Sequence, residues 1–429
     1  MQIFKRILVG NGKDVMKKSA IWNIIESMEY SVQSAVLLLV ITRLGGLYDA
    51  GVFTIAYTFT QMIATIGSYG MRSFQVSDIK GEYKFETYLC SRVISIAAMV
   101  LVCGVNVLFQ DYDRTKIFLM FILCLYRVVD DVDDVIHGEM QKNMRLDIAA
   151  KIASIRIFIS TTLFIIVYAI TRNLIYASMA LTVTAIIISV VLNFVAAGEF
   201  PSITFKICRE KVANLLWTCF PICISGFLYN YLANASKYAI DRNLSEEIQT
   251  LFSILFMPIF VINILSSFIF KPMIANMGIL WTRGKYDSFV KTVLKQLLII
   301  IGLTVVVMLG GAICGVEMLG WLYGVELIKY KGLFILLLSF GGFAAMGAFF
   351  VVVLTIVRKQ KCIVMAYGVA VVFNLFFADR VVLRYNIWGA AIVYGVTMGI
   401  IVLILAVTLV VTTRRMKGVQ NGSFKTDLS

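Results

Sequence analysis

The chain has 429 residues, of which 60% are hydrophobic and 15% charged, and its mean hydropathy is +0.88. A soluble domain carries nearer a quarter charged residues, so this composition excludes one. The net charge of +14 is no sign of nucleic-acid binding, because about 26 of the 39 Lys and Arg fall on one side of the predicted spans, the pattern of topology and anionic headgroups.

Apolar stretches of about 17–25 residues, each long enough to cross a bilayer as a helix, are predicted at 20–41, 50–71, 87–109, 115–136, 148–170, 174–196, 214–238, 248–270, 293–316, 333–356, 362–378 and 388–412. The chain therefore reads as an all-α polytopic membrane protein with about twelve transmembrane helices. Its basic start, with Lys5, Arg6, Lys13, Lys17 and Lys18, resembles the head of a signal peptide. No small-residue cleavage site follows and the apolar stretch runs too long, so the first span is expected to be retained. The positive-inside bias predicts both termini on the cytoplasmic side. Trp22, Trp217, Trp281, Trp321 and Trp388 fall near span ends, where an amphipathic ring is comfortable.

The first span carries Asn23, Glu26, Glu29 and Gln33 within an arc of about 120°, at roughly 100° per helical residue. Such a stripe faces protein or water and not lipid. The fourth span holds Arg127, Asp130, Asp131, Asp133 and Asp134. Its apolar lead-in, Ile117 to Val129, would rise only about 20 Å against a hydrocarbon core of roughly 30 Å, so some of these charges must lie at membrane depth. An ion there costs at least about 2.5–3.5 kcal/mol, which points to a polar cavity between helices; the alternative is a helix end that unravels into the headgroups. Arg127, Asp130, Asp131 and Asp134 share a face, and Asp133 points more nearly sideways. On the fifth span Arg156 begins too deep for easy snorkelling.

The most basic and least apolar internal loop on the cytoplasmic side, 197–213, divides the spans six and six. Arg43 recurs as Arg242, and at the same offset Ile41, Phe53, Ile55 and Tyr30 meet Ile240, Phe252, Ile254 and Tyr229; Gly81 and Tyr83 recur, after a small gap, as Gly284 and Tyr286. Even-numbered halves enter from the same side, giving parallel repeats with substrate expected between them. The domains are expected as a cytoplasmic segment 1–19, a first bundle 20–196, the loop 197–213, a second bundle 214–412 and a disordered cytoplasmic tail 413–429. The second half opens with Asn230, Asn234, Lys237 and Asp241 near one helix face, below a kink expected at Pro221. Deep cations suit an anionic ligand, guanidinium by forking onto phosphate oxygens and ammonium as a point charge; each could equally neutralise one of the acids.

Eight cysteines show no zinc or redox spacing, and the lone His137 has no ligand partners, so no metal site is argued. Cys219 and Cys223 share a helix face as small packing residues. There is no phosphate-cradling glycine loop, no triad and no large outer loop with paired acids, which argues against an ATPase, a hydrolase and a membrane glycan polymerase or glycosyltransferase.

The stretch DDVIHGEMQKNMRLDIAAKIASIR resembles the connection between the fourth and fifth helices of oligosaccharide-lipid flippases in the multidrug/oligosaccharidyl-lipid/polysaccharide exporter superfamily, with Asp134, Gly138, Gln141, Arg145 and Asp147 at the family's spacing. PICISGFLYNYLANASKYAIDRNLS and WLYGVELIKYKGLF, with Tyr323 and Gly324, are similar as well. The family's second half usually opens with a glycine near Ser245, and the acid run here is denser than the family's. The resemblance implies two six-helix bundles in a V around a central cavity, moving undecaprenyl-diphosphate-linked oligosaccharide to the outer leaflet of a bacterial cell membrane by alternating access. The expected diphosphate contacts are Arg127, Arg156 and Lys237, with Arg72 met first on the cytoplasmic side. Glu29, Asp131 and Asp134 are the candidates for H+ or Na+ coupling, with no other cofactor. The expected partners are the lipid-linked glycan, the bilayer and other polysaccharide assembly proteins, without nucleic acid. A drug/cation antiporter of the same superfamily is the alternative, favoured by the acids.

Overall fold

The structure, a computed structural model, describes residues 14–78, 81–110, 112–197 and 209–426. Most of the expected segment 1–19 and loop 197–213 lies outside them, as do Lys5, Arg6, Lys13, Asp111 and Cys208. The elements described are helices. In chain order they are α1 (Val15–Gly45), α2 (Leu47–Ser68), α3 (Met71–Ser77), α4 (Phe85–Phe109), α5 (Arg114–Lys142), α6 (Leu146–Thr171), α7 (Leu174–Ala197), α8 (Arg209–Asn243), α9 (Glu246–Phe256), α10 (Pro258–Phe270), α11 (Ile274–Thr282), α12 (Tyr286–Gly310), α13 (Val316–Tyr323) and α14 (Lys331–Ile356). The last stretch, Gln360–Thr426, is parted at Asn386 (φ 51°, ψ −134°) into α15 (360–385) and α16 (387–426).

Ten segments among the described residues are long and apolar enough to cross a membrane. The last of them, Gln360–Lys417, contains the break at Asn386 and so holds two helices. The 29-residue α5 is too charged to count among the ten, yet it stays helical to Lys142 with Asp131 and Asp133 buried, so its end does not unravel. The protein is thus an all-α, multi-pass membrane protein, and every predicted span has its helix. Two differences have plain causes. The eighth span is broken where Pro258 and Pro272 each remove an amide donor, and it continues through the 3-10 turn Lys271–Met273 to Thr282. The tail expected to be disordered from 413 instead prolongs α16 as helix to Thr426.

Two compact units form, Met1–Phe227 and Leu228–Ser429, and the division falls within α8. In the first, α5 is the centre, packed by α2, α3, α4, α6 and α7. In the second the centre is α14, packed by α9, α10, α11, α12 and the last helical stretch. Small residues allow that approach: Gly341 faces Ile259 and Ile262, and Gly342 faces Thr304. The two halves also repeat a turn, because Gly81 and Gly284 take φ +67° and +69°, left-handed values that glycine adopts without a Cβ penalty.

Candidate functional site

The first unit is built around the charges of α5. Arg127, buried from solvent, donates to Asp130 Oδ2 at 3.0 Å. Arg156 of α6 lies 2.7 Å from Asp130 Oδ1 and 3.0 Å from Asp133 Oδ2. Ser189 and Asn193 of α7 donate to the other Asp133 oxygen, so the sideways-pointing acid shares Arg156 with the main face and adds α7 to the network. Arg127 also lies over the ring of Tyr57, 4.5 Å from its centroid, an arrangement the ring quadrupole favours.

One turn on, Asp134 is held by Arg92 of α4 at 2.6 Å and by Arg72 of α3 at 3.3 Å. Arg92 also donates to the carbonyl of Gly67 at 2.8 Å, and Arg72 to Gln141 at 3.2 Å. The stripe on α1 joins through Gln33, which donates to Thr161 at 2.9 Å and Tyr126 at 3.0 Å. The remaining acids are less well satisfied. Asp131, 3% exposed, keeps Oδ2 buried without a hydrogen-bond partner among the described residues, and so does Glu29 with its Oε2. Buried carboxylate oxygens of that kind are costly unless a proton, ion or water meets them.

Glycines set the spacing. A Cβ at Gly67 of α2 would overlap the Asp131 carboxylate, and one at Gly138 would overlap the Gln75 side chain. The resemblance motif thus has a structural content: Asp134 takes two arginines, Gly138 admits Gln75, Gln141 accepts from Arg72, and Arg145 pairs with Asp147 at 3.0 Å.

No family model matches the chain. It is 21% identical over 360 residues, 83% of this chain and 89% of the relative, to the capsular polysaccharide biosynthesis protein CapF of Staphylococcus aureus. Among solved structures, the lipid II flippase MurJ in its inward closed conformation superposes with a TM-score of 0.72 at 12% identity, covering 92% of this chain and 90% of that one. A multidrug resistance MATE family transporter in its inward-facing conformation gives 0.63 at 13%, covering 92% and 96%. The chain thus shares its fold with transporters of the MOP superfamily and with the lipid II flippase MurJ. A superfamily transporter from Pyrococcus furiosus, described as having a binding pocket of reverse polarity, has the same fold at a TM-score of 0.54 and 13% identity, covering 97% of this chain and 98% of that one.

On this fold the residues expected from sequence separate. Arg72, Arg127, Arg156, Asp131 and Asp134 all belong to the first unit's charged centre, and Glu29 lies on α1 of the same unit. Lys237 lies on α8 in the second unit. The three arginines are already ion-paired with aspartates. Sequence reasoning missed Arg92, Ser189, Asn193 and Tyr57. For Arg92 a signal existed: Tyr88, Arg92, Ser95 and Met99 recur at helical spacing, and all four are buried.

Proposed function

We propose that the chain is a flippase that moves undecaprenyl-diphosphate-linked oligosaccharide, the precursor of a cell-surface polysaccharide, from the cytoplasmic to the outer leaflet of a bacterial cell membrane. The observation that carries this reading is the likeness to a capsular polysaccharide biosynthesis protein over 83% of the chain, on a fold shared with a lipid II flippase. The glycan needs a polar path, since transfer of unpaired hydroxyls into hydrocarbon is prohibitive. Arg72, Arg127, Arg156 and Lys237 are the cations proposed for the diphosphate. The arginines would exchange an aspartate for a phosphate, a swap between similar charge-assisted bonds.

Asp131 and Glu29, each with an unpartnered oxygen, are proposed to take up H+ or Na+, and Asp134 to follow when its arginines are drawn away. Both termini are assigned to the cytoplasm, and the partners are polysaccharide assembly proteins and the bilayer. Transport is driven without ATP hydrolysis in this chain. The unpartnered carboxylate oxygens also suit a drug/cation antiporter, which is the second reading.

Purified protein in vesicles decides between them. The flippase reading expects a fluorescent prenyl-diphosphate oligosaccharide to cross without ATP, and Arg156→Ala, confirmed folded, to slow it at least tenfold. Export of an organic cation with no movement of the lipid-linked sugar would replace that reading with the antiporter.

A further inference from the structure

The strongest cationic candidate outside the charged centre is Lys237. Its side chain is 9% exposed, and among the described residues no carboxylate forms an ion pair with it. Its neighbour is an aromatic face: the Nζ lies 5.2 Å from the ring centroid of Phe256 on α9. Every buried arginine of the first unit has an aspartate within 3.0 Å or a shared one, so Lys237 is a different kind of residue, a buried charge left for something else to neutralise.

Its surroundings on α9 are unsatisfied in the same way. Gln249 is fully buried, yet among the described residues both its side-chain Nε2 and Oε1 lack hydrogen-bond partners, and the buried Ser253 Oγ lacks one as well. Gln249, Ser253 and Phe256 stand at i, i+4 and i+7, within an arc of about 60° on one face of the helix. Phe256, on that same face, is the residue that the Lys237 ammonium meets. From Gln249 to Phe256 the helix rises about 10 Å, the length of a small phosphorylated group. A point-charge ammonium, a hydroxyl and an amide are the donors that would hold phosphate oxygens at one end and a hydroxyl at the other.

We infer that Lys237, Ser253 and Gln249 form an anion subsite of the second unit, built for a diphosphate. Its identification with a prenyl diphosphate rests on the flippase reading, whereas the subsite itself does not. Neutralising the ammonium needs no ion pair to be broken, so this is the place where the diphosphate is bound most strongly, and the first unit's arginines contribute less.

Binding of inorganic pyrophosphate and of farnesyl diphosphate to the purified full chain tests this by calorimetry. Wild-type protein is expected to bind, Lys237→Arg to stay within threefold, Lys237→Met to lose at least tenfold and Ser253→Ala two- to fivefold. Tighter binding of farnesyl diphosphate by tenfold or more identifies a lipid-linked source, and equal binding a free diphosphate. Lys237→Met removes an uncompensated buried charge and should raise the melting temperature, which checks that it folds. A second measurement avoids substitution: acetylation of Lys237 in the wild type, followed by peptide mass spectrometry, should slow at least threefold with pyrophosphate present. Lack of pyrophosphate binding, binding by Lys237→Met within twofold of wild type, or an unchanged acetylation rate overturns the subsite. If vesicles flip the lipid-linked sugar while these fail, only the subsite falls; if the subsite binds while wild-type vesicles flip nothing, only the flippase reading falls.

Discussion

The fourth and tenth predicted spans occupy the same place in the two halves, and each became the helix around which its unit packs, α5 in the first and α14 in the second. After Lys331, α14 has no charged residue, and it meets its neighbours through Gly341, Gly342, Ala345 and buried Leu and Phe side chains. α5 instead carries Arg127 and four aspartates among arginines of α3, α4 and α6. An apolar centre is a sum of many small contacts and loses stability piecemeal. The charged centre behaves as a unit, because removal of one partner leaves the others buried and uncompensated.

The largest expected effect follows from that coupling. Arg156→Met keeps the volume but strips both Asp130 and Asp133 of their shared cation, and should cost about 3–5 kcal/mol. Gly341→Ala in α14, pressed against Ile259 and Ile262, should cost about 1–3 kcal/mol as overpacking. Denaturation of both variants in the same detergent compares them directly. Equal losses would remove the distinction between the two centres.

Much of this contrast is readable before any fold. Span length and hydropathy place the helices, and a charge too deep to snorkel marks α5 as internal. The tail differs because polarity alone does not end a helix that is already propagating, where each added residue gains a hydrogen bond. The partners of the acids were less legible. Arg156 stands out because it lies mid-span, but Arg92 begins near a span end, where an exposed guanidinium and a buried one look alike in a single sequence. Lys237 was visible as a deep cation, whereas its lack of a carboxylate is a property of packing between α8 and α9. Nor does sequence reveal that Gly67 is needed where it is, since that depends on which α5 residue lies opposite.

Gly67 gives the next effect in size. In Gly67→Ala the new methyl overlaps the Asp131 carboxylate, whose Oδ2 is already buried with no hydrogen-bond partner among the described residues. At Gly342→Ala the obstruction is the Thr304 side chain at 2.8 Å, a looser approach than that of the Asp131 oxygen at Gly67. Both should fall within the range of overpacking, about 1–3 kcal/mol, with Gly67→Ala the larger. Thermal melts of the pair test the order, and a reversed order would mean that Asp131 relaxes freely and that α5 is less rigidly specified than α14.

The smallest effect lies in a loop that the halves share. Before Gly81, Asp78 accepts the amides of Glu82 and Tyr83 at 2.9 and 3.1 Å and the Tyr88 hydroxyl at 3.2 Å, with Lys142 at 3.7 Å. Before Gly284, Trp281 packs on Tyr286 and Phe289, each with ring centroids 5.0 Å apart. Burial alone would raise the Asp78 carboxyl, but those amides, the ammonium and the hydroxyl outweigh it and hold it below its ordinary value. A depressed folded value means that the stabilisation is complete above the unfolded pKa of about 3.9 and is lost as pH falls through the folded value. Asp78→Asn should therefore cost about 1 kcal/mol near neutral pH, and its melting temperature should converge on the wild type as pH drops below about 4. Trp281→Phe has no ionisable group to lose, so its deficit should stay constant over the same range. A pH-independent deficit for Asp78→Asn would show that the two loops, despite their different chemistry, are held by packing alone.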